Sequence, residues 1–339
     1  MAVVCKSLGK IDDMWNEWAP TIRAIFADED KKNVEYDNIL EGMFNVETSN
    51  RFGEKSATST EFADFEITGE GNDGEEDDFE EGFAKLIEHE ELIKTLTITK
   101  AAIEDSKENL IRRKASNFIE AYKRSRLNFA TKMLTAEGTT FDFGKKKSLD
   151  RTTGDGKALF ATDHPGKKAG VAAQCNVFTN AFGTDAKMLT RLANIGKNFK
   201  NDSGNVMGYT FDTIIIPSNC WEMEDTIKKI IRTDLMVGSQ FNDANTQKGL
   251  WNLIVNPLWQ AAEGKNPYII MSSKANKALD GSAFFDRTPL TILEEQQTKS
   301  HNMLYSARCR FGAGFYNWRH VIMGGATQGE TLVQGDKLW

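Results

Sequence analysis

His164 is the residue best placed to do chemistry in this chain. It sits in Ala161-Thr162-Asp163-His164-Pro165. An Asp beside a His invites a hydrolase reading, in which the imidazole takes a proton from a Ser or Cys and a carboxylate holds its tautomer. The rest of that apparatus is missing. The sequence has no Gly-x-Ser-x-Gly elbow and no Gly-rich oxyanion loop, and His89, His301 and His320 are the other histidines. His164 therefore reads as a hydrogen-bonded loop residue, and no catalytic residue is assigned. A metal site needs clustered His, Cys and carboxylates, and the chain has no His-x-His, His-Glu-x-x-His or Cys-x-x-Cys. Asp73-Gly74-Glu75-Glu76-Asp77-Asp78 is rich in carboxylates but lacks the spacing and closing Glu of a calcium loop. Gly166-Lys167-Lys168 lacks the upstream glycine and preceding strand of a phosphate-binding loop. Cys5, Cys175, Cys220 and Cys309 are scattered and read as free thiols. No metal and no cofactor is expected.

Any such group would have to be positioned by a mixed set of elements. Trp15, Trp18, Ile22 and Ile25 recur at helical spacing. Residues 1–45 thus read as an arm with a short amphipathic helix, its regularity limited by Pro20. Its apolar stripe needs a partner surface. Residues 46–104 read as β-rich. Glu61 to Thr68 fits an edge strand, and Leu92 to Thr99 is β-branched and partly alternating. Between them, Glu70 to Glu81 is dense in acids without a base, a solvated tip. Strand, charged tip and strand make a long β-hairpin. Such a hairpin is marginal alone in water and should rest on a neighbour.

Residues 105–137 read as the longest helix. Asp105 and Glu108 form a capping-box pattern, and Gly138 is placed to end the helix. Ile111, Ala115, Phe118, Tyr122, Phe129 and Met133 follow three-to-four spacing, with Arg126 the polar member of the row. About 30 residues give a rod of roughly 45 Å. Arg112, Arg113, Lys114, Lys123, Arg124 and Lys132 make its other faces basic. Residues 138–182, with Lys145-Lys146-Lys147, read as loop. A helix follows over Asp185 to Phe199, then a turn over Asn201 to Gly208 and a buried strand ending at Pro217. Ser218 is expected to cap a helix running to about Ile231. Short strands are expected at 250–255, 268–271, 290–293, 302–310 and 314–323. Helices and strands that segregate without a repeat predict an α+β fold.

The chain has 339 residues, 40% of them hydrophobic, and a formal net charge of -7. Its length suits about two domains. No global basic signature of a nucleic-acid binder is present, and no stretch approaches the roughly 18 apolar residues of a membrane span.

Arm, acidic-tipped hairpin, long helix and mixed C-terminal half, in that order, resemble the layout of tailed-phage major capsid proteins of the Hong Kong ninety-seven fold. Gly156-Lys157-Ala158-Leu159-Phe160-Ala161-Thr162-Asp163-His164-Pro165 is similar to the Leu-Phe-x-Thr-x-His-Pro segment of Mu-like major head subunits. Lys100-Ala101-Ala102-Ile103-Glu104-Asp105 resembles the entry to their spine helix. Ile214-Ile215-Ile216-Pro217 resembles the strand and proline before the next helix, and Arg308-Cys309-Arg310-Phe311-Gly312 the returning strand. The resemblance implies an N-terminal arm over 1–45, an extended loop over 46–99, and a peripheral domain over 100–216 with the spine helix at 106–137. It further implies an axial domain over 217–300 and returning strands with a tail over 301–339.

The same resemblance implies a structural subunit, not an enzyme. Copies would assemble into pentamers and hexamers of an icosahedral head around double-stranded DNA, in the virion, after assembly in the cytoplasm of a host bacterium. Its partners would be other copies of itself, a scaffolding protein, a portal and decoration proteins. Contact with packaged DNA would be weak and nonspecific, and no membrane is involved. Any N-terminal scaffolding segment would be absent or already removed, and no covalent crosslink is predicted. Candidate contacts between subunits are Trp15, Trp18, Phe62, Phe65, Glu75, Glu76, Asp77, Asp78, Arg112, Arg113 and Arg124. Exposed acid–base pairs of this kind are worth about 0–1 kcal/mol each and are screened by salt. Two alternatives stand beside this reading: an encapsulin-like compartment shell subunit enclosing protein cargo, and a hydrolase built on His164.

Overall fold

The structure, a computed structural model, describes residues 3–8, 13–59, 67, 81–105, 108–168, 170–183, 187–235 and 244–333. The chain forms two compact units. Unit 1 comprises 1–54, 87–130 and 284–313, and unit 2 comprises 55–86, 131–283 and 314–339. These cuts differ from the expected boundaries at 45, 99, 216 and 300. The extended loop is divided at residue 87, and the long helix at residue 131.

Unit 1 is built on a five-stranded sheet. Its path is β1 (Val4–Leu8), β11 (Ser282–Gln296), β12 (Met303–Phe315) and β5 (Glu90–Ile98), with β2 (Asn45–Thr48) also on β11. β1 runs parallel to β11, Val4 opposite Thr291. The run Leu92 to Thr99 is indeed a strand, but not a leg of the acidic-tipped hairpin. Glu90–Ile98 pairs antiparallel with Phe311–Met303 of its own chain. Alternation shows that a segment is a strand, not which strand it joins. β11 is longer than the expected 290–293 and runs through Pro289. Its ladder with β1 begins only at Thr291, so that ladder asks for no N–H from the proline.

The arm is more helical than the sequence predicts. α1 covers Asp13–Lys32 and contains Pro20, and α2 covers Glu35–Met43. Pro20 lies on the exposed side. Trp15, Ala19, Ile22 and Phe26, at i, i+4, i+7 and i+11, are buried. That continuous apolar stripe holds the helix together despite the lost N–H. Phe26 meets Tyr305 edge-on at 5.7 Å and Phe118 at 6.2 Å.

The long helix α4 covers Glu108–Thr135, close to the expected 106–137. The expected capping box at Asp105 runs across residues 106 and 107, which lie outside the described residues. Asp105 closes a preceding short helix, α3 (Lys100–Glu104), donating its N–H to the Ala101 carbonyl.

Unit 2 centres on a four-stranded sheet ordered β13 (Val321–Gly324), β10 (Tyr268–Met271), β8 (Thr213–Pro217) and β9 (Asn252–Asn256). β8 and β9 run parallel. A parallel pair cannot be joined by a tight turn, and α6 (Trp221–Arg232) lies in the connection. Cys220 stands at its N-cap and makes no side-chain capping bond; its thiol donates to Asn219 Oδ1 and the Lys265 carbonyl, both at 3.9 Å. Ser218 does not cap it, and its hydroxyl bonds the Pro257 carbonyl instead. α5 (Lys187–Lys197) buries Leu189, Leu192 and Ile195, the side the sequence indicates. α7 (Ser273–Ala278), unforeseen in the sequence, is capped by the Ser272 hydroxyl.

Two hairpins complete unit 2. β6 (Thr140–Phe143) and β7 (Lys146–Asp150) pair with a bulge where a loop was expected. Gly144, at φ 58°, makes the turn, a conformation glycine adopts without a Cβ clash. β3 (Gly53–Ser59) pairs with β4 (Glu81–Glu88). The part of this hairpin that belongs to unit 2, within 55–86, is tied to that unit. The Thr58 hydroxyl bonds Asp202 at 3.3 Å, Lys85 bonds Asp150 and the Thr152 hydroxyl, and the Lys167 ammonium lies 5.2 Å from the Phe83 ring centre.

Candidate functional site

The residues that looked chemical in the sequence meet in unit 2. After β7, a tight turn pairs Thr152 with Ala158. Within it the Lys157 N–H bonds the Asp155 carboxylate at 3.0 Å. That turn presents Asp155 to His164, whose Nδ1 lies 2.7 Å from Oδ2. The partner of His164 is thus Asp155, nine residues upstream. The adjacent Asp163 is exposed and pairs with Lys157 at 2.5 Å. The backbone of His164 exchanges two 2.9 Å hydrogen bonds with Gln174, and Gln174 clasps the backbone of Lys200 through both ends of its amide.

Trp318 sits at the middle of this arrangement. The His164 ring stacks on it at 4.2 Å and 10°, and Phe199 meets it edge-on at 5.0 Å. The Arg319 guanidinium lies 4.9 Å from its ring centre. Arg319 also bonds Asp202 at 2.8 Å and the Lys200 carbonyl at 2.7 Å. Burial pushes the Asp155 carboxyl up, but the bonds from His164, Thr153 and Lys157 outweigh it and hold its pKa below the ordinary range.

The Asp155–His164 pair has the first two members of a triad but not its geometry. His164 is 0% exposed, and Nε2, the atom that would take a nucleophile's proton, is buried without a hydrogen-bond partner. The pair is a staple between loops. The rest of the Leu-Phe-x-Thr-x-His-Pro segment has the same character. Leu159 is fully buried, and Asn176 bonds both the Leu159 carbonyl and the Ala161 N–H.

A second buried cation has no signature in the sequence. Arg151 is 1% exposed and donates to the carbonyls of Met133, Leu134 and Gly138. The Met133 and Leu134 carbonyls are among those that the end of a helix leaves unpaired, Gly138 lies just past that end, and a cation suits the negative pole there. Burial pulls the pKa of this guanidinium down to about 10.

In unit 1 the polar member of the α4 row is explained. Arg126 bonds Asp37 at 3.0 Å and Asp286 at 2.6 Å and lies over the Phe284 ring at 5.3 Å. Lys123, 3% exposed, reaches Asp37 at 3.0 Å and Asp30 at 3.4 Å. These four links join α1, α2 and β11 to the helix. Burial pulls the Arg126 guanidinium down, but Tyr122, Asp286 and Asp37 more than offset it and raise its pKa. Burial pushes the Asp286 carboxyl up against the pull of Arg126.

Among the expected contact residues, Trp15 is corrected. It is fully buried in its own chain, its indole N–H on the His301 carbonyl at 3.2 Å, so no face remains for a neighbour. Trp18 is half-buried, and Arg112, Arg113 and Arg124 are exposed. Phe62, Phe65, Glu75, Glu76, Asp77 and Asp78 lie outside the described residues. Among the described residues no group of three or more His, Cys, Asp or Glu could hold a metal ion, and no helix is long and apolar enough to cross a membrane. All four cysteines are free thiols.

No family model and no curated protein matches the sequence. Solved structures do match the fold. A chain of Mycobacterium phage Adephagia aligns at TM-score 0.53 and 12% identity, covering 88% of this chain and 91% of that one. A chain of Mycobacterium phage Patience aligns at 0.52 and 11%, covering 97% and 95%. A chain from the capsid of an empty GTA particle aligns at 0.51 and 10%, covering 84% and 88%. Coverage of nearly the whole of both partners leaves no large part of this chain outside the shared architecture. The chain therefore has the phage capsid fold, an α+β arrangement.

Proposed function

We propose that this chain is the structural subunit of a tailed-phage head. Copies self-assemble into pentamers and hexamers, and these close an icosahedral shell around double-stranded DNA. The observation that carries the reading is the end-to-end likeness to a chain from a particle capsid. The burial of the Asp155–His164 pair supports it from another side, because it removes the best hydrolase candidate.

Charge fits a shell built by many weak contacts. Eight of the 49 acids, and none of the 42 bases, lie in residues 70–81. The rest of the chain is close to neutral. Repulsion between copies, and attraction to any basic surface on a neighbour, is thus concentrated in one segment and falls with salt. Phe62, Phe65, Glu75, Glu76, Asp77 and Asp78 are proposed to contact a neighbouring copy, with the half-buried Trp18 and the exposed Arg112, Arg113 and Arg124 as candidates on the other side. A scaffolding protein, a portal and decoration proteins are proposed partners, and contact with DNA is weak because packaged DNA must move. Assembly takes place in the cytoplasm of a host bacterium.

The test is electron microscopy of the purified chain, alone and with a scaffolding protein, followed by nuclease digestion of particles taken from phage-producing cells. Closed shells that protect double-stranded DNA are expected. A chain that stays monomeric under all these conditions, or shells that hold only protein, would refute the reading.

A further inference from the structure

We propose that the cavity beside Arg151 in unit 2 binds a small carboxylate with an apolar body. The inference goes beyond the shell-subunit reading and does not rest on it. Among the described residues four Lys and Arg residues are buried: Lys123, Arg126, Arg151 and Arg319. Three of them reach a carboxylate. Lys123 has Asp30 and Asp37, Arg126 has Asp37 and Asp286, and Arg319 has Asp202. That is the ordinary condition of a buried charge. Arg151 is the most deeply buried of the four, and it departs from the rule. Its partners are the carbonyls of Met133, Leu134 and Gly138.

Carbonyls at a helix end offset part of a cation, the equivalent of roughly half an elementary charge. They do not replace a counter-ion. Here they take three of the guanidinium's N–H groups, out of the five that an Arg carries. Burial alone moves the pKa of this group, and no nearby acid raises it again. Arg126 shows the contrast, since Asp286 and Asp37 help to raise its pKa against burial.

Arg151 lines a cavity of about 320 Å³, at the lower end of the range for small-ligand sites. Phe160, Trp259 and Met323 give it apolar walls, and Lys265 adds a second cation. Lys265 is exposed and has no ion pair among the described residues. The acid in the lining, Glu137, is exposed too and forms no ion pair with Arg151. Glu137 balances one of the two cations, and one positive charge is left over. A ligand with a single negative charge neutralises it. A carboxylate suits a guanidinium, whose parallel N–H groups can meet both oxygens. The apolar walls favour a hydrocarbon or aromatic body behind that head.

The experiment titrates benzoate into the full chain at fixed ionic strength, with chloride as the balancing anion. Trp259 reports on the cavity, so tryptophan emission is expected to change and to saturate. Benzamide has the same ring without the charge. It is expected to bind at least about tenfold more weakly, as the loss of a hydrogen bond between charged groups implies. Arg151→Lys keeps a cation but loses the fork, and should weaken benzoate by a similar factor. Lys265→Gln changes an exposed side chain and so tests the site even if Arg151→Lys does not fold. It should weaken benzoate about threefold. Trp259→Phe should abolish the emission change. No saturating response in the parent, or equal binding of benzoate and benzamide, would overturn the site. So would a response that survives Trp259→Phe, or an affinity that neither cation substitution lowers. Acidic side chains of another copy carry the same carboxylate. An apparent benzoate Kd that rises with protein concentration would reveal that source and overturn a free ligand as the occupant.

Discussion

Five of the seven bases on α4 divide into two groups. Lys123 and Arg126 face inward, where Asp30, Asp37 and Asp286 receive them. Arg112, Arg113 and Arg124 face outward and are exposed. In sequence the two groups look alike, a basic helix opposite an acidic loop. In the fold they sit in different dielectrics, and dielectric decides what a charge is worth. An exposed pair yields about 0–1 kcal/mol. A buried charge that loses its partner costs several times that, because it stays buried without compensation.

The comparison breaks most directly at Arg126. Replacing it with Met keeps the volume and removes the charge, leaving Asp286 and Asp37 facing each other across the site. A loss of about 3–5 kcal/mol is expected, read as a lower urea midpoint with an unchanged slope. Adding Asp286→Asn should recover part of the loss, giving a coupling energy well above that of independent sites. A single variant within 0.5 kcal/mol of the parent would show that the inward face is no different from the outward one.

How much of this was legible depends on what each feature rests on. The strand at 268–271, the buried strand ending at Pro217 and the helix over 187–197 were readable because periodicity and breakers are local. The partner of Glu90–Ile98 was not, since it lies more than 200 residues away in Met303–Phe311. The cuts between the two compact units are not legible for a related reason. They fall inside β3, β4, α4, β11 and β12, and a periodic pattern gives no sign of where a unit ends. His164 was read correctly as a hydrogen-bonded loop residue, but its carboxylate is Asp155, not the neighbouring Asp163. Arg151 was not singled out, because a buried Arg that caps a helix with carbonyl bonds leaves no pattern in its own neighbourhood. The one local sign for the inward pair was Arg126 itself, a charged residue on an apolar row.

A smaller effect is expected at the staple of unit 2. His164→Ala removes the bond to Asp155 and the stack on Trp318, for a loss of about 2–4 kcal/mol and a change in tryptophan emission. If the pair is structural, any hydrolytic activity of the preparation should be unchanged. A parallel loss of hydrolysis without loss of stability would restore the enzyme reading.

Acid should weaken both units through their buried histidines. Burial drives the His320 pKa from 6.5 down to about 3. Burial also lowers that of His89, with the charges of Arg310 and Arg287 adding to it. Each is held neutral in the fold, so below pH 6.5 the unfolded chain takes up a proton that the folded chain refuses. The stability these groups contribute is complete above pH 6.5 and is lost as pH falls towards their folded values. Between pH 6.5 and 5 the slope should approach about 1.4 kcal/mol per pH unit for His320, and the lowered pKa of His89 adds to it with the same sign. His89→Gln should flatten the urea-midpoint profile, and an unchanged profile would mean that His89 keeps its ordinary pKa.

The outward bases should give the smallest change in stability, and there the comparison is sharpest. Arg112→Ser, Arg113→Ser and Arg124→Ser, combined in one chain, should leave the urea midpoint within about 0.5 kcal/mol of the parent. None of the three helps to fill the core, and each lies in solvent. If they meet an acidic segment of another copy, the triple variant should instead assemble more slowly at low salt, and the difference should vanish as salt screens the parent to the same rate. Light scattering against ionic strength separates the two effects, since folding and encounter are then read on the same protein. A triple variant that unfolds early would place these arginines with Arg126. One that assembles at the parent rate at every salt concentration would remove them from the interface and leave the acidic segment to find another partner.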